Sequence, residues 1–168
     1  MALQSGTIDY DQAYYLRRES WPDFRIEAEL IARLVCPSPG ATVLEIGCGS
    51  GELLRLLAPV CKLAIGIDLS WEGLRLAKIG RVTDCNCISS SRLLNARAES
   101  LPFMGASFDA VVAQHLLEHI QDPFRALREW RRVLRPGGIL ALVTPNARYP
   151  DPAVFYDPSH ENLFTPDT

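Results

Sequence analysis

The stretch VLEIGCGSG, residues 43–51, decides the fold of this chain. Its apolar start predicts a buried strand, and its glycines break that strand into a loop from which a helix begins near Gly51. Because glycine has no Cβ, such a loop turns sharply and lies directly against a ligand. A second apolar run ends in Asp68, 21 residues after Gly47, where a βαβ unit places a carboxylate that accepts hydrogen bonds from ribose hydroxyls. The stretch therefore predicts a nucleoside site.

The spacing of the glycines narrows the class of ligand. A dinucleotide site has glycine at the first, third and sixth positions, and here the sixth position counted from Gly47 is Glu52. An acid at that place repels a pyrophosphate, whereas a ligand without phosphates tolerates it. The favoured ligand is a nucleoside without phosphates, which disfavours a nicotinamide oxidoreductase.

The rest of the chain alternates between helical and strand patterns. Helical spacing predicts helices over residues 25–35, 51–61, 71–79 and 123–134, the last ended by Pro136-Gly137-Gly138. Apolar runs predict strands over residues 42–47, 62–68, 93–98, 108–114 and 139–144, and residues 80–91 are expected to be a loop. This order predicts an α/β fold, a three-layer sandwich around a mostly parallel, doubly wound sheet. Ligands of such sheets bind beyond the carboxyl ends of the strands, where we expect Glu45, Gly47, Asp68, Ala98 and Gln114 to meet.

Five blocks of sequence resemble one known family. They are VLEIGCGSG at 43–51, GIDLS at 66–70, AESLPF at 98–103, FDAVVAQHLLEHIQDP at 108–123 and REWRRVLRPGGILALVTPN at 128–146. In this order they resemble the class I, Rossmann-like S-adenosylmethionine-dependent methyltransferases, especially the small-molecule group related to the ubiquinone/menaquinone C-methyltransferases. The blocks span more than half of the chain and point to family and fold, though not to a substrate.

The resemblance implies S-adenosylmethionine as cofactor and S-adenosylhomocysteine as product. It implies that the backbone of Gly47, Cys48 and Gly49 approaches the methionine portion, and that Glu45 holds this loop or reaches the amino group through water. Asp68 would accept from both ribose hydroxyls, and Leu69 would pack on the adenine. Ala98 and Glu99 match the family's segment that contacts the adenine edge. Gln114 matches the position that faces the methionyl end. The family often has an acid where this chain has Arg97, so adenine recognition would rest on backbone atoms or on Glu99.

Methyl transfer from a sulfonium is an in-line displacement, for which alignment of the reactants supplies most of the catalysis. An acceptor that must lose a proton also requires a base. His115 and His160 are the candidates for contacting substrate, while His119 is interpreted as a packing residue of the LEH turn. Tyr14 and Tyr15 either form a lid over the cofactor or simply pack.

The chain divides into three predicted parts. Residues 1–24 are expected to be an N-terminal lid or substrate segment, 25–146 the cofactor-binding domain, and 147–168 a Pro-rich C-terminal segment. Family members usually continue with another helix and strands six and seven, which we expect this chain to lack through truncation; residues 164–168 resemble the start of that helix. Such truncation leaves open a binding or regulatory module without turnover, and an incomplete sheet is compatible with a homodimer.

Composition excludes several classes. The net charge of −3 and the lack of a Lys/Arg run disfavour nucleic acid, which leaves a small-molecule methyl acceptor. No apolar run is long enough to span a membrane, and the first residues are neither basic nor apolar, so we expect a cytoplasmic protein. Zinc sites usually show two Cys pairs with at least two residues between the members, whereas Cys85 and Cys87 form one pair with one residue between. The sequence therefore predicts reduced thiols and no metal.

Overall fold

The computed structural model describes residues 11–35, 38–83, 91–149 and 159–167. The helices are α1 (Gln12–Glu19), α2 (Pro22–Val35), α3 (Glu52–Leu57), α4 (Trp71–Thr83) and α5 (Pro123–Val133). The strands are β1 (Thr42–Ile46), β2 (Leu63–Asp68), β3 (Ser91–Asn95), β4 (Phe108–Gln114) and β5 (Leu134–Val143), and a 3₁₀ turn covers Leu117–His119. The described strands form one sheet in the order β3-β2-β1-β4-β5, with every neighbouring pair parallel.

Both faces of the sheet are covered, which confirms the predicted three-layer α/β fold. On one face, α2 and α3 pack on the sheet through an apolar cluster that includes Ile31 and Leu57. On the other face, α5 packs through a cluster that includes Trp130 and Phe108, both fully buried. Burying one large apolar side chain contributes about 1.5–3 kcal/mol. The near-continuous burial of β1 and β4 is what a central parallel strand with helices on both faces requires.

The strand order reverses between β1 and β4, which lie side by side at the centre of the sheet. The chain crosses from β1 to β2 and β3 on one side, and then returns to β4 and β5 on the other. Loops after β1 and β4 consequently diverge and leave a crevice at the carboxyl ends of the strands. This is the switch point at which the sequence places the nucleoside site.

The glycine loop after β1 has the backbone that its sequence predicts. Gly47, Gly49 and Gly51 have φ angles of 72°, 48° and 80°, a region that other residues enter at a cost. The amides of Gly47 and Cys48 donate to the carbonyl of Ile67, over 2.8 and 2.9 Å. The loop is therefore fastened to the end of β2.

The structure differs from the prediction in two helices at the amino-terminal side. Helix α1 was not predicted, because its residues are mostly exposed and Tyr15 alone among its described side chains is buried. The Asp11 carboxylate caps it by accepting from the amide of Tyr14 over 2.8 Å. Helix α2 begins at Pro22 rather than at residue 25.

Two further boundaries differ in the second half of the sheet. Strand β3 covers Ser91–Asn95 instead of residues 93–98, because the buried polar Ser91 pairs with Ala64 at its start. The segment Pro136-Gly137-Gly138, predicted to follow the helix as a stop, lies inside β5. Leu134 pairs with Phe108 and Ile139 pairs with Ala110, so the residues between form a bulge.

Several predictions fall partly or wholly outside the described residues. Helix α4 extends to Thr83, and residues 84–90 of the predicted loop are not described. The structure also does not describe Cys36, Cys85 and Cys87, or residues 150–158. Within the described part, Asn146 pairs with Phe164 in an isolated parallel bridge, which brings the C-terminal segment back to the sheet. Among the described residues, no helix combines the length and apolarity that a membrane crossing demands.

Candidate cofactor and acceptor site

A cavity of about 550 Å³ opens at the carboxyl ends of β1 and β2. Seven of the predicted site residues line it: Gly47, Gly49, Asp68, Leu69, Ala98, Glu99 and His115. Side chains that the sequence did not assign also line it, among them Arg18 and His119. Its size is within the usual range for small-molecule sites.

Asp68 lies in the wall of this cavity and fastens the glycine loop. One of its carboxylate oxygens accepts from the amide of Gly49 and the other from the amide of Ser70, both over 2.7 Å. Burial raises the pKa of Asp68 above its ordinary value, against the effect of these two hydrogen bonds. Because each carboxylate oxygen has two acceptor positions, both oxygens can still accept from a ligand hydroxyl.

A smaller pocket shares Gly47 and Gly49 with this cavity and contains the remaining predicted residues of that region, Glu45, Cys48 and Gln114. Glu45 is 5% exposed, and its Oε2 has no hydrogen-bond partner among the described residues. Burial, together with the nearby Asp68, raises the pKa of Glu45 to about 8. Burial likewise raises the pKa of the Cys48 thiol, so this cysteine is an unreactive packing residue.

Helix α1 covers the glycine loop. The Tyr15 ring is buried between Gly49 and Gly73, where an added Cβ would lie 2.9 Å from Tyr15 Cε1 and 2.6 Å from Tyr15 Oη, respectively. The two glycines are therefore needed to admit the ring. Burial and the adjacent Asp68 raise the pKa of Tyr15, which keeps its hydroxyl protonated.

Arg18 is the cation of α1 that reaches the cavity. Its guanidinium donates to the carbonyl of Gln114 over 3.0 Å and lies 5.1 Å from the centre of the Phe24 ring. These contacts hold a positive charge beside the glycine loop. Sequence reasoning missed Arg18, since nothing near it in the chain signals a site 96 residues away.

The turn after β3 forms the far wall of the cavity and contains Ala98 and Glu99. The Trp130 indole donates to the carbonyl of Ala98 over 3.0 Å, so this carbonyl is already engaged. The Glu99 carboxylate lies 3.5 Å from the guanidinium of Arg97 and is therefore shared between that cation and any ligand.

His115 lies at the end of β4 with a φ of 50°. Its Nε2 lies 2.8 Å from Glu27 Oε2, and its Nδ1 lies 3.6 Å from Glu118 Oε1. Burial alone lowers the pKa of His115, but its hydrogen bonds to Glu118 and Glu27 outweigh burial and raise it. The two carboxylates thus favour the protonated form of the ring. The Gln114 amide also donates to Glu27, over 3.0 Å.

The other two histidines lie together beside His115. His119 lines the cavity, and its ring centre lies 4.9 Å from that of His160. His160 itself lines neither of the two cavities. The His119 Nδ1 lies 2.9 Å from Ser159 Oγ. Of the two histidines predicted to contact substrate, the structure thus brings His115 to the cavity and places His160 behind His119.

Comparison with known proteins agrees with this geometry. A family model described as a methyltransferase domain matches residues 44–142, more than half of the 168 residues. A ubiquinone biosynthesis O-methyltransferase from Xanthomonas campestris is 38% identical over 112 residues, which cover 64% of this chain and 44% of that protein. The chain thus spans less than half the length of this curated relative.

Solved structures show the same fold. The YcgJ protein from Bacillus subtilis superimposes with a TM-score of 0.74 at 27% identity, over 84% of this chain and 64% of that chain. A SAM-dependent methyltransferase from Aquifex aeolicus superimposes with a TM-score of 0.70 at 20% identity, over 89% of this chain and 82% of that chain, and supports the fold alone.

The matched residues include the glycine loop, Asp68, the turn with Ala98 and Glu99, and the end of β4. These are the elements that meet around the cavity. The resemblance identified in the sequence is confirmed: the chain belongs to the methyltransferase-domain family, with the class I, S-adenosylmethionine-dependent fold.

Proposed function

We propose that this chain binds S-adenosylmethionine and transfers its methyl group to a hydroxyl of a small aromatic molecule. The observation that carries the proposal is the cavity wall in which a bare glycine loop is fastened to the buried carboxylate of Asp68. The name of the Xanthomonas relative supports oxygen as the atom that receives the methyl group. The net charge of −3 supports a small molecule over a nucleic acid.

The residues present fit the cofactor at three of its groups. Asp68 would bind the ribose hydroxyls, since both of its oxygens retain acceptor capacity. The cationic Arg18 would attract the carboxylate of the methionine portion. The ammonium of that portion would approach Glu45, whose Oε2 lacks a partner among the described residues, a deficit that costs about 1–3 kcal/mol when a buried group is left unsatisfied.

The adenine would lie between Leu69 and the turn of Ala98 and Glu99. Leu69 is 56% exposed and lines the cavity, so its apolar side chain is available for packing. Hydrogen bonds to the adenine would come from backbone amides of this turn and from Glu99, while the Ala98 carbonyl accepts from Trp130.

The cofactor supplies the electrophilic methyl group, and the chain aligns it with the acceptor. Helix α1 would exclude water from the glycine loop through Tyr15. The acceptor would lie at the opposite end of the cavity, which is lined by Leu116, His119, Ile120 and Gln121. His115 is a predicted candidate for contacting substrate, but its two ring nitrogens face Glu27 and Glu118, so neither is directed at an acceptor proton. We therefore assign His115 the role of holding the end of β4 in position.

The finer points of organisation belong to the same proposal. We assign residues 1–24 to a lid or substrate segment, although α2 already begins at Pro22, and residues 147–168 to a C-terminal segment whose described residues 159–167 lie beside the 3₁₀ turn. A cytoplasmic location and a homodimer are compatible with the sequence, and the exposed strand edge of β5 favours a second copy.

The direct test is transfer of a labelled methyl group. The purified chain is incubated with S-adenosylmethionine carrying a tritiated methyl and with catechols and hydroquinones, and the label is counted in the organic extract. We expect label in the phenol ether with the wild-type chain and a loss of at least roughly tenfold with Asp68→Ala at subsaturating cofactor. Absence of transfer with every acceptor, while S-adenosylhomocysteine still binds, would reduce the function to cofactor binding.

A further inference from the structure

We propose that Glu118, His119 and His160 bind a zinc ion at the acceptor end of the cavity. Each of the three offers one ligand atom, and these atoms lie within 4.8 Å of one another. The binding of zinc by these three residues does not depend on the proposed function. The role of the ion in activating a methyl acceptor rests on the proposed function.

The three residues are brought together by backbone contacts rather than by chance proximity. Glu118 and His119 belong to the 3₁₀ turn after β4, while His160 belongs to the C-terminal segment. The amides of Glu161 and Asn162 both donate to the carbonyl of Glu118, over 2.8 and 3.0 Å. The Asn162 side chain also donates to the carbonyl of Ile120 over 2.6 Å. These bonds hold His160 beside the turn.

The carboxylate of Glu118 is prepared for a cation. Glu118 is 2% exposed, and its Oε2 accepts from the Thr144 hydroxyl over 3.1 Å. Burial raises its pKa, but the hydrogen bond from His115, a backbone hydrogen bond and the charges of His119 and His115 together outweigh burial and lower it, which favours the carboxylate form. A buried anion held by neighbouring donors has the character of a metal-ligating carboxylate with its supporting partners.

The two imidazoles also meet the requirements of metal ligands. The His119 Nδ1 lies 2.9 Å from the hydroxyl and 3.2 Å from the carbonyl of Ser159, which fixes the orientation of the ring. Metal-binding histidines are usually oriented in this way through one ring nitrogen. The Nδ1 of His160 is buried without a hydrogen-bond partner in the described part of the chain. A cation would satisfy this nitrogen.

The donor set selects the metal. Two imidazole nitrogens and one carboxylate oxygen match a three-ligand zinc site with an open fourth position, whereas magnesium and calcium prefer oxygen ligands alone. Zinc lies roughly 2.0–2.2 Å from such ligands, so tetrahedral ligand atoms are about 3.4 Å apart. Closing from 4.8 Å requires side-chain movements of about 1 Å, since zinc draws the ligands together.

The position of the site indicates what the ion would do. Because His119 lines the cavity, the open position of the ion would face the acceptor. A zinc ion lowers the pKa of a bound hydroxyl, so the acceptor would release its proton to solvent water without a side-chain base. The acceptor oxygen would then attack the methyl carbon, the carbon–sulfur bond would break, and its electron pair would go to the sulfur, which would become the neutral thioether. The ion would thus supply an activation that His115, whose ring nitrogens face Glu27 and Glu118, does not.

Zinc titration of the metal-free chain, without an affinity tag and without cofactor, tests the proposal. Competition with a chromophoric chelator at pH 7.5 should reveal one zinc per chain. We expect His160→Ala and His119→Gln each to weaken zinc binding at least roughly tenfold, the usual size of the loss of a ligand or its support. His160→Asn is a second variant for use if His160→Ala does not fold, as judged by circular dichroism.

The double variant Cys85→Ser/Cys87→Ser is the matched control, since these cysteines are the other plausible zinc ligands. It should bind zinc as the wild type does. Absence of stoichiometric binding, loss of binding in the cysteine variant, or unchanged binding in folded His119 and His160 variants would each overturn the proposal. Titration with S-adenosylhomocysteine is run in parallel. Cofactor binding without zinc binding contradicts the metal site alone, whereas zinc binding without cofactor binding contradicts the proposed function.

Discussion

The two ends of the cavity are built in different ways. At the cofactor end, the glycine loop and Asp68 come from neighbouring strands and are joined by hydrogen bonds within residues 47–70. At the acceptor end, His115 is held by Glu27, which is 88 residues away, and His119 by Ser159, which is 40 residues away. The first end is specified by a local motif, and the second by contacts between distant segments. A short motif can therefore define a cofactor site while leaving the acceptor site undetermined.

The two ends of the cavity also differ in the groups that form their hydrogen bonds. Backbone amides of Gly49 and Ser70 hold the cofactor end, and such donors are present in any sequence that adopts the loop. At the acceptor end, the side chains of Glu27 and Ser159 contact His115 and His119, and such contacts depend on the residue type at each position. We expect substitutions at the cofactor end to affect folding and cofactor affinity, and those at the acceptor end to act mainly on chemistry and on pH dependence.

The largest expected effect is on stability, in Gly49→Ala. The new Cβ would lie 2.9 Å from Tyr15 Cε1, and the residue would have to keep a φ of 48°. Backbone strain of about 1 kcal/mol and a steric overlap of about 1–3 kcal/mol together predict a loss of roughly 2–4 kcal/mol in the free energy of unfolding. Urea denaturation measures this loss, and hydrogen exchange should show faster exchange in α1.

Two glycines serve as controls for that variant. Gly137 has a φ of 78° and nothing within 4 Å of an added Cβ, so Gly137→Ala should show the backbone strain alone. Gly40 has an open surrounding and no positive φ, so Gly40→Ala should be neutral or slightly stabilising. Equal losses in Gly49→Ala and Gly137→Ala would show that α1 does not pack on the glycine loop.

The next effect is on cofactor affinity, in Asp68→Ala. Charge-assisted hydrogen bonds are each worth about 1.5–3 kcal/mol, so affinity for S-adenosylhomocysteine should fall at least roughly tenfold. The matched change at the other end, His119→Gln, should alter this affinity by less than about threefold, because no charged contact to the cofactor is removed. Calorimetry on variants with native circular dichroism measures both. Similar losses in the two variants would remove the distinction between the ends.

The smallest effect is a pH-dependent change in stability, in His115→Gln. The pKa of His115 is raised in the folded state, so its protonated ring stabilises the fold fully below the unfolded pKa, about 6.5. This contribution is lost as the pH rises through the raised, folded pKa. The wild type should exceed His115→Gln by about 1 kcal/mol at pH 6 and by less at pH 9.

Glu27→Gln is the control for the histidine. It keeps His115 but removes the carboxylate 2.8 Å from its ring. The stability that the wild type has over Glu27→Gln should therefore also be larger at pH 6 than at pH 9. Thermal unfolding from pH 6 to 9 measures all three proteins. A stability difference that does not vary with pH would show that the ring is not held as a cation.

Sequence reasoning recovered the layers of the fold, the five described strands and the glycine loop that borders the cavity. These features follow from periodicity and from a glycine loop whose backbone requirements are local. It missed α1, because a helix with one buried side chain among those described has little amphipathic pattern. It also placed the start of β3 two residues late, because Ser91 is polar yet buried.

The acceptor end could not be read in the same way. Nothing in the vicinity of Arg18 or Glu27 along the chain signals contact with the end of β4, since that contact depends on how α1 and α2 dock. His119 was interpreted as packing, yet it lines the cavity. The spacing of residues along the chain also gives no indication of the cluster of Glu118, His119 and His160, which forms only when the C-terminal segment returns to the 3₁₀ turn.

The central claim is that the glycine loop and Asp68 form a site for a nucleoside without phosphates. Isothermal titration of the purified chain with S-adenosylhomocysteine and, separately, with NAD tests it most directly. The account predicts saturable one-to-one binding of S-adenosylhomocysteine and no measurable binding of NAD at the same concentrations. Tighter binding of NAD, or no heat with S-adenosylhomocysteine from a chain that is folded by circular dichroism, would contradict it.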